Sequence, residues 1–152
     1  MVSVSSHGVL FQGNGCSVAF RNSPLPTSVI TDAALFFFWA DLNDFGSGEF
    51  MEYATLGSPG GRAFNLYFRS RLFASGCGTS PLNVMVSVHE GSRMRKASYC
   101  GIAGCDELRG SSTTLRKQTS GGRSAKAFTF GVNSRVLDDN ANRQTMSFHP
   151  PN

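Results

Sequence analysis

The residues with the most reactive side chains in this 152-residue sequence are four cysteines: Cys16, Cys77, Cys100 and Cys105. Structural zinc sites usually take pairs of thiolates from C-x2-C knuckles, whereas CGIAGC leaves four residues between Cys100 and Cys105 and no second close pair exists. Zinc bound by Cys100 and Cys105, with Cys77, Cys16 or His89 completing the ligand set, is therefore only the alternative to free thiols. We expect no metal or other cofactor, and free thiols packed in or near the core.

An acidic loop at residues 41–52 (DLNDFGSGEFME) has oxygen ligands at several positions that a calcium-binding EF-hand loop uses. Phe45 takes the place of one oxygen ligand, and Gly48 takes the place of an apolar residue. The flanking sequences also lack the pattern of two long amphipathic helices. We therefore interpret the segment as an acidic hairpin turn without calcium.

Basic residues could contact phosphate in the second half of the chain. The net charge is +4, and ten of the fourteen Lys and Arg residues lie after residue 89. They are interleaved with Ser, Gly and Thr, which is typical of a solvated surface. No aromatic residue that could stack on a base lies among the basic residues of the segment 105–126. We therefore expect at most weak, non-specific contacts with nucleic acid and no base readout. The candidate binding residues are Arg109, Arg116, Lys117, Arg123 and Lys126.

Two short segments suggest a hydrolase. Residues 76–78 (GCG) and 88–91 (VHEG) resemble the nucleophile and pocket-histidine segments of chymotrypsin-like viral cysteine proteases. The resemblance covers about fifteen residues and implies a nucleophilic Cys77. However, the 76 residues before Cys77 cannot build a complete first barrel, and strand alternation turns His89 outward. A small cysteine hydrolase is thus a lesser alternative, and we name no catalytic residue.

A second resemblance suggests an interaction module. Residues 114–132 (TLRKQTSGGRSAKAFTFGV) resemble a strand pair of a C2 domain, in which a basic strand and a turn lead to an aromatic-alternating strand. The resemblance implies a β-sandwich inside a larger complex. The aspartate clusters of calcium-binding C2 domains are absent, so such a module would be calcium-independent.

Apolar alternation predicts the strands that must position these residues. In residues 63–73 and 81–90 apolar side chains recur at every second position, which predicts half-buried strands. Residues 128–132 repeat the pattern over a shorter length. The inward positions of the first two strands are Phe64, Leu66, Phe68, Leu72, Leu82, Val84, Val86 and Val88.

Three further segments are less regular. Residues 33–40 (AALFFFWA) are apolar on every face, which fits a buried central strand or a buried helix, and their length and aromatic content favour the strand. Residues 17–21 are a weaker strand candidate. Residues 49–55 could form a strand or a two-turn helix.

Short strands separated by Gly- and Pro-rich turns predict an all-β fold: an antiparallel sandwich or barrel, with a jelly-roll-like arrangement as one option. We predict one domain over residues 1–152 with loosely structured ends at about residues 1–15 and 143–152. Residues 105–126 are polar and predict a long loop or an excursion at a sheet edge.

Composition and missing motifs bound the function. The longest apolar run has eight residues against the roughly twenty of a membrane-spanning helix, and the N-terminal residues lack a signal-peptide pattern, so we expect an intracellular or virion protein. No nucleotide-binding or hydrolase motif occurs. We therefore expect a self-assembling structural protein that binds copies of itself, such as a virus coat or similar shell subunit. The alternative is the accessory β-sandwich module.

Overall fold

The computed structural model describes residues 1–43, 48–73, 81–92, 94–100, 114–119, 125–127, 137 and 143–148. The regular elements among these residues are β-strands, and no helix among them could cross a lipid bilayer. The strands are β1 (Val2–Ser5), β2 (Val9–Gln12), β3 (Ala34–Trp39), β4 (Phe50–Leu56), β5 (Ala63–Ser70), β6 (Leu82–His89), β7 (Arg95–Cys100), β8 (Thr114–Gln118), β9 (Ala125–Ala127) and β10 (Arg143–Phe148).

The strands make two antiparallel five-stranded sheets. The first has the order β1-β2-β3-β8-β9 and the second has the order β10-β7-β6-β5-β4. The predicted all-β antiparallel fold is confirmed, and its form is a sandwich, not a closed barrel. Strands β4 to β7 follow one another as a meander, an arrangement different from the two Greek keys of an eight-stranded jelly roll.

The core between the sheets contains the predicted alternating residues. Leu66, Phe68, Leu82, Val84 and Val86 are buried in it, and the other three predicted inward residues are partly buried against it. From the first sheet, the Phe37 ring meets the Phe68 ring edge-on at 5.4 Å. The buried Tyr99 hydroxyl donates a 2.6 Å hydrogen bond to the Phe37 carbonyl oxygen. The predicted register of β5 and β6 is therefore confirmed.

Strand β3 is the central strand of the first sheet, as its apolar sequence predicted. All six of its residues are buried because the sheet is covered on both faces. One face contacts the second sheet, and the other is covered by the irregular residues 13–33, which we call the strap. A second apolar cluster lies beneath the strap and comprises Val9, Phe11, Leu25, Ile30, Ala34, Phe36 and Trp39.

Two buried polar side chains attach the strap to the first sheet. The Trp39 indole Nε1 donates a 2.8 Å hydrogen bond to the Ala19 carbonyl oxygen. The Gln118 side chain on β8 is fully buried, and its Oε1 accepts a 2.8 Å hydrogen bond from the Thr27 amide. Its Nε2 donates to the Ile30 carbonyl oxygen. These bonds satisfy strap groups that would otherwise be buried without partners.

A bulge in β3 depends on Gly8, which lies in the turn between β1 and β2. The register between β3 and β8 shifts between Phe36 and Trp39, and the Gly8 carbonyl oxygen accepts hydrogen bonds from both Phe37 and Phe38 amides, each at 3.0 Å. Gly8 has a φ of 76°, and a Cβ there would lie 2.1 Å from the Phe38 carbonyl oxygen. Only glycine fits this position.

Some predictions differ from the structure. Residues 1–15 are not loosely structured, because β1 and β2 pair there, and β10 occupies part of residues 143–152. Residues 105–126 are not a continuous loop, because β8 pairs with β3 and the hairpin partner β9 begins at Ala125. Although the sequence of β8 is mostly polar, its side chains alternate between two buried layers: Leu115 faces the core between the sheets, and Gln118 faces the strap.

The weaker strand candidates have mixed outcomes. Residues 17–21 lie in the strap and form no strand, which contradicts the prediction. Residues 49–55 correspond to β4, so the strand interpretation is confirmed and the helix is excluded. The strand predicted at residues 128–132 lies outside the described residues.

Candidate functional site

An accessible feature of the sandwich is β4, an edge strand of the second sheet. Its last five residues are exposed, among them Tyr53 at 77% and Leu56 at 63%. All seven residues of β4 pair with β5 in an unbroken register. The opposite edge of β4 has no partner strand in the described part of the chain, so its backbone groups are available for pairing.

Strand β4 lacks the usual devices that protect a sheet edge. Natural edge strands often carry lysines, prolines or bulges, which discourage other chains from pairing with them. Strand β4 (FMEYATL) has none of these and carries one charge, on Glu52. Two of its aromatic rings lie against rings of β5: Phe50 against Tyr67 at 5.3 Å and Tyr53 against Phe64 at 5.9 Å. The edge is thus regular in register and largely apolar.

A second exposed apolar region lies on the strap. Val18 is 89% exposed, and Val29 and Phe20 are also exposed. The strap covers the first sheet, whereas β4 borders the second, so the two apolar regions belong to different layers of the molecule. Exposed apolar patches mark surfaces that contact other macromolecules, so both regions are candidates for such a contact.

The five predicted phosphate-binding residues are only partly described. Arg109 and Arg123 lie outside the described residues. Arg116 and Lys117 are consecutive on β8, and the register places Lys126 of β9 opposite Lys117, while Arg116 lies opposite Ala127. The structure therefore brings Lys117 and Lys126 to neighbouring backbone positions and describes the side chain of Lys117 alone among the five.

Lys117 lies at a small cavity that also holds Arg95 of β7. The cavity measures about 10 Å³ at the end of the sandwich, and its lining includes Leu10, Leu35 and Gln12. We call it the rim cavity. The Arg95 Nη2 donates a 2.9 Å hydrogen bond to the Gln12 Oε1. Partial burial lowers the pKa of Arg95.

Sequence reasoning missed Arg95 as a site residue. The alternation of β7 could have found it, because Ala97 and Tyr99 are buried in the core and Arg95 falls on the same side of the strand. A cation at the end of an inward-facing row must reach the open end of the sandwich to remain solvated.

An exposed ion pair joins two turns at one end of the second sheet. The Arg62 Nη2 lies 2.7 Å from the Glu90 Oε1, and the Glu90 Oε2 accepts a 2.9 Å hydrogen bond from the Gly60 amide. These bonds, first of all the one from Arg62, lower the pKa of Glu90 to about 2. The pair links the turn between β4 and β5 to the turn after β6.

The residues considered for catalysis or metal binding do not come together in the described part of the chain. Within those residues, no group of three or more His, Cys, Asp or Glu side chains is placed to hold a metal ion. Cys77 and Cys105 lie outside them. Cys16 and Cys100 have free, exposed thiols, contrary to the expected burial. His89 is half-buried on the outward side of β6, as its alternation predicted.

The acidic loop and the N-terminal histidine have structural contacts. Residues 44–47 of the loop lie outside the described residues. Glu49 is buried and forms an ion pair with Arg71, while Glu52 is exposed on β4. His7 is buried, and its Nδ1 accepts a 3.4 Å hydrogen bond from the Leu42 amide. These contacts hold the segment that follows β3.

No protein-family model matches the chain, and comparisons with curated proteins and with solved structures found no match.

Proposed function

We propose that this protein is a self-assembling structural subunit, of the kind that builds a virus coat or a similar shell. The observation that supports the proposal is the exposed, unprotected edge of β4. A sheet edge of this kind pairs readily with another strand. The occupant we assign to it is β4 of a second copy.

The sequence of β4 is compatible with antiparallel pairing to itself around a two-fold axis at Tyr53. Phe50 then lies opposite Leu56 of the second copy, and Glu52 lies opposite Ala54. The only charged residue of the strand therefore faces a methyl group and not a second carboxylate. Like charges directly opposite each other destabilise a strand pair, and this register avoids them.

Such a pair joins two five-stranded sheets into one continuous sheet across two subunits. A closed shell needs a second, different contact between such pairs, because one isologous contact closes after two copies. The exposed apolar side chains of the strap, Val18, Phe20 and Val29, supply a candidate for that contact. The pair would be the building block and the strap would connect building blocks.

The test is a charge exchange at Tyr53, which this register places opposite itself. Tyr53→Lys should dissociate the pairs, because two ammonium groups face each other, and Tyr53→Glu should do the same. An equimolar mixture of the two variants should associate again, since opposite charges then meet. Sedimentation velocity at several concentrations measures each species. Met85→Lys introduces the same charge at an exposed apolar residue of β6, away from both β4 and the strap, and is the matched control.

The outcomes separate the possible functions. Monomers of the parent chain at high concentration would contradict self-assembly and favour the accessory module, in which β4 receives a strand from another protein. If Tyr53→Lys associates as strongly as the parent, the contact lies elsewhere than β4. Restored association in the mixture of Tyr53→Lys and Tyr53→Glu would support the assigned two-fold register.

A further inference from the structure

The rim cavity concentrates positive charge where part of the surrounding water has been removed. Arg95 of β7 in the second sheet and Lys117 of β8 in the first sheet both line it. Both side chains are half-buried, while Gln12 beside them is exposed, so the cavity is reachable from solvent. The two cationic residues come from different sheets, and only the folded sandwich brings them together.

No described carboxylate forms an ion pair with Arg95. By contrast, the guanidinium of Arg62 is paired with Glu90, and that of Arg71 with Glu49. The partner of Arg95 is the neutral amide oxygen of Gln12, which accepts one of the five N–H groups of the guanidinium. A partly desolvated guanidinium whose hydrogen-bond partner is uncharged favours an anion at its remaining donors.

The size of the cavity limits what can enter it. About 10 Å³ is close to the smallest space that holds one water-sized atom group, so one oxygen atom of a ligand fits and the rest remains outside. The apolar walls of Leu10 and Leu35 exclude further water from that oxygen. Guanidinium and ammonium groups together match the several oxygens and multiple charge of a phosphate.

We propose that the rim cavity is a phosphate-binding site, in which Arg95 and Lys117 donate hydrogen bonds to one phosphate group and Gln12 orients the guanidinium. The phosphate is either free or part of a nucleic-acid backbone. The site lies on β7 and β8, not on β4, and it does not depend on self-association. It adds Arg95 to the basic residues that the sequence predicted for phosphate contact.

The test is a titration of the full-length protein with inorganic phosphate against chloride at matched ionic strength, followed by amide NMR shifts. Saturable shifts are expected at the Gln12 side-chain amide and at Leu10 and Leu35. Arg95→Gln should weaken binding by about tenfold or more, because it removes a charge-assisted hydrogen bond. Arg95→Lys keeps the charge and should retain part of the affinity. Arg62→Gln, at an exposed guanidinium, is the control and should bind as the parent does.

A second arm identifies the source of the phosphate. If a ten-nucleotide oligouridylate binds the parent, is displaced by inorganic phosphate and binds Arg95→Gln less tightly, the phosphate belongs to a nucleic-acid backbone. If inorganic phosphate saturates the site and the oligouridylate does not compete, the ligand is free phosphate. Shifts that fail to saturate, or Arg95→Gln binding phosphate as tightly as the parent while keeping its circular dichroism spectrum, would overturn the proposal.

Discussion

Replacing Gly8 by alanine tests whether the turn between β1 and β2 supports the bulge of β3. A left-handed backbone costs an L-residue roughly 1–2 kcal/mol, and Gly8 has a φ of 76°. The new Cβ would also lie 2.1 Å from the Phe38 carbonyl oxygen, so β3 must move away. That movement breaks the hydrogen bonds from Phe37 and Phe38 to Gly8, each worth about 1 kcal/mol. We expect a total loss of about 3–4 kcal/mol in the free energy of unfolding.

Gly13 provides a matched control for this substitution. It has a φ of 93°, but a Cβ there meets no atom within 4 Å. Gly13→Ala should therefore cost only the backbone term of roughly 1–2 kcal/mol. Urea unfolding with linear extrapolation measures both free energies, and unchanged m-values would show that the denatured states are comparable. Equal losses for Gly8→Ala and Gly13→Ala would refute the argument that Gly8 supports the bulge by close contact.

Two further predictions concern polar contacts. Gln118→Ala leaves the buried Thr27 amide and Ile30 carbonyl oxygen without their partner, so we expect a loss of about 1–3 kcal/mol in urea unfolding for each unsatisfied group and faster hydrogen exchange at Thr27. Unchanged exchange at Thr27 would contradict this role. Glu90→Gln should lower the melting temperature at pH 7. Because the folded state lowers the pKa of Glu90 from its ordinary value of 4.5, the ionised carboxylate stabilises the fold at pH values above 4.5. The difference from the parent should vanish as the pH falls through about 2, whereas a difference that persists below that pH would not come from the carboxylate charge.

Alternation and apolar runs allowed a correct prediction wherever a strand buries one face or both. Val84 and Val86 face the core as their spacing indicated, and β3 is central because apolar side chains on every face fit a doubly covered strand. Apolar alternation failed to predict β8, because one of the two buried faces of this strand carries the polar side chain of Gln118. An amide side chain in that layer looks like a loop residue until the strap groups that it binds are known.

The strap and the rim cavity could not be predicted for a different reason. Residues 17–21 include three consecutive apolar residues but pair with no strand in the described part of the chain. Ala19 instead contributes its carbonyl oxygen to the Trp39 indole. Arg95 and Lys117 are distant in the sequence and belong to different sheets. Their proximity depends on which strands lie at the same end of the sandwich, and that information is absent from local spacing.

The outer face of the second sheet explains why the edge of β4 is the stronger candidate for self-association. Its polar side chains bind one another across strands: the Ser87 hydroxyl donates to the Asn65 Oδ1 at 2.7 Å, and the hydroxyl oxygens of Ser98 and Thr145 lie 2.9 Å apart. A partner placed on this face would have to break these bonds before forming its own. Pairing at β4 adds backbone hydrogen bonds and covers Tyr53 and Leu56 without that cost. Under the proposed pairing, the face would keep its internal bonds while the edge receives a second copy.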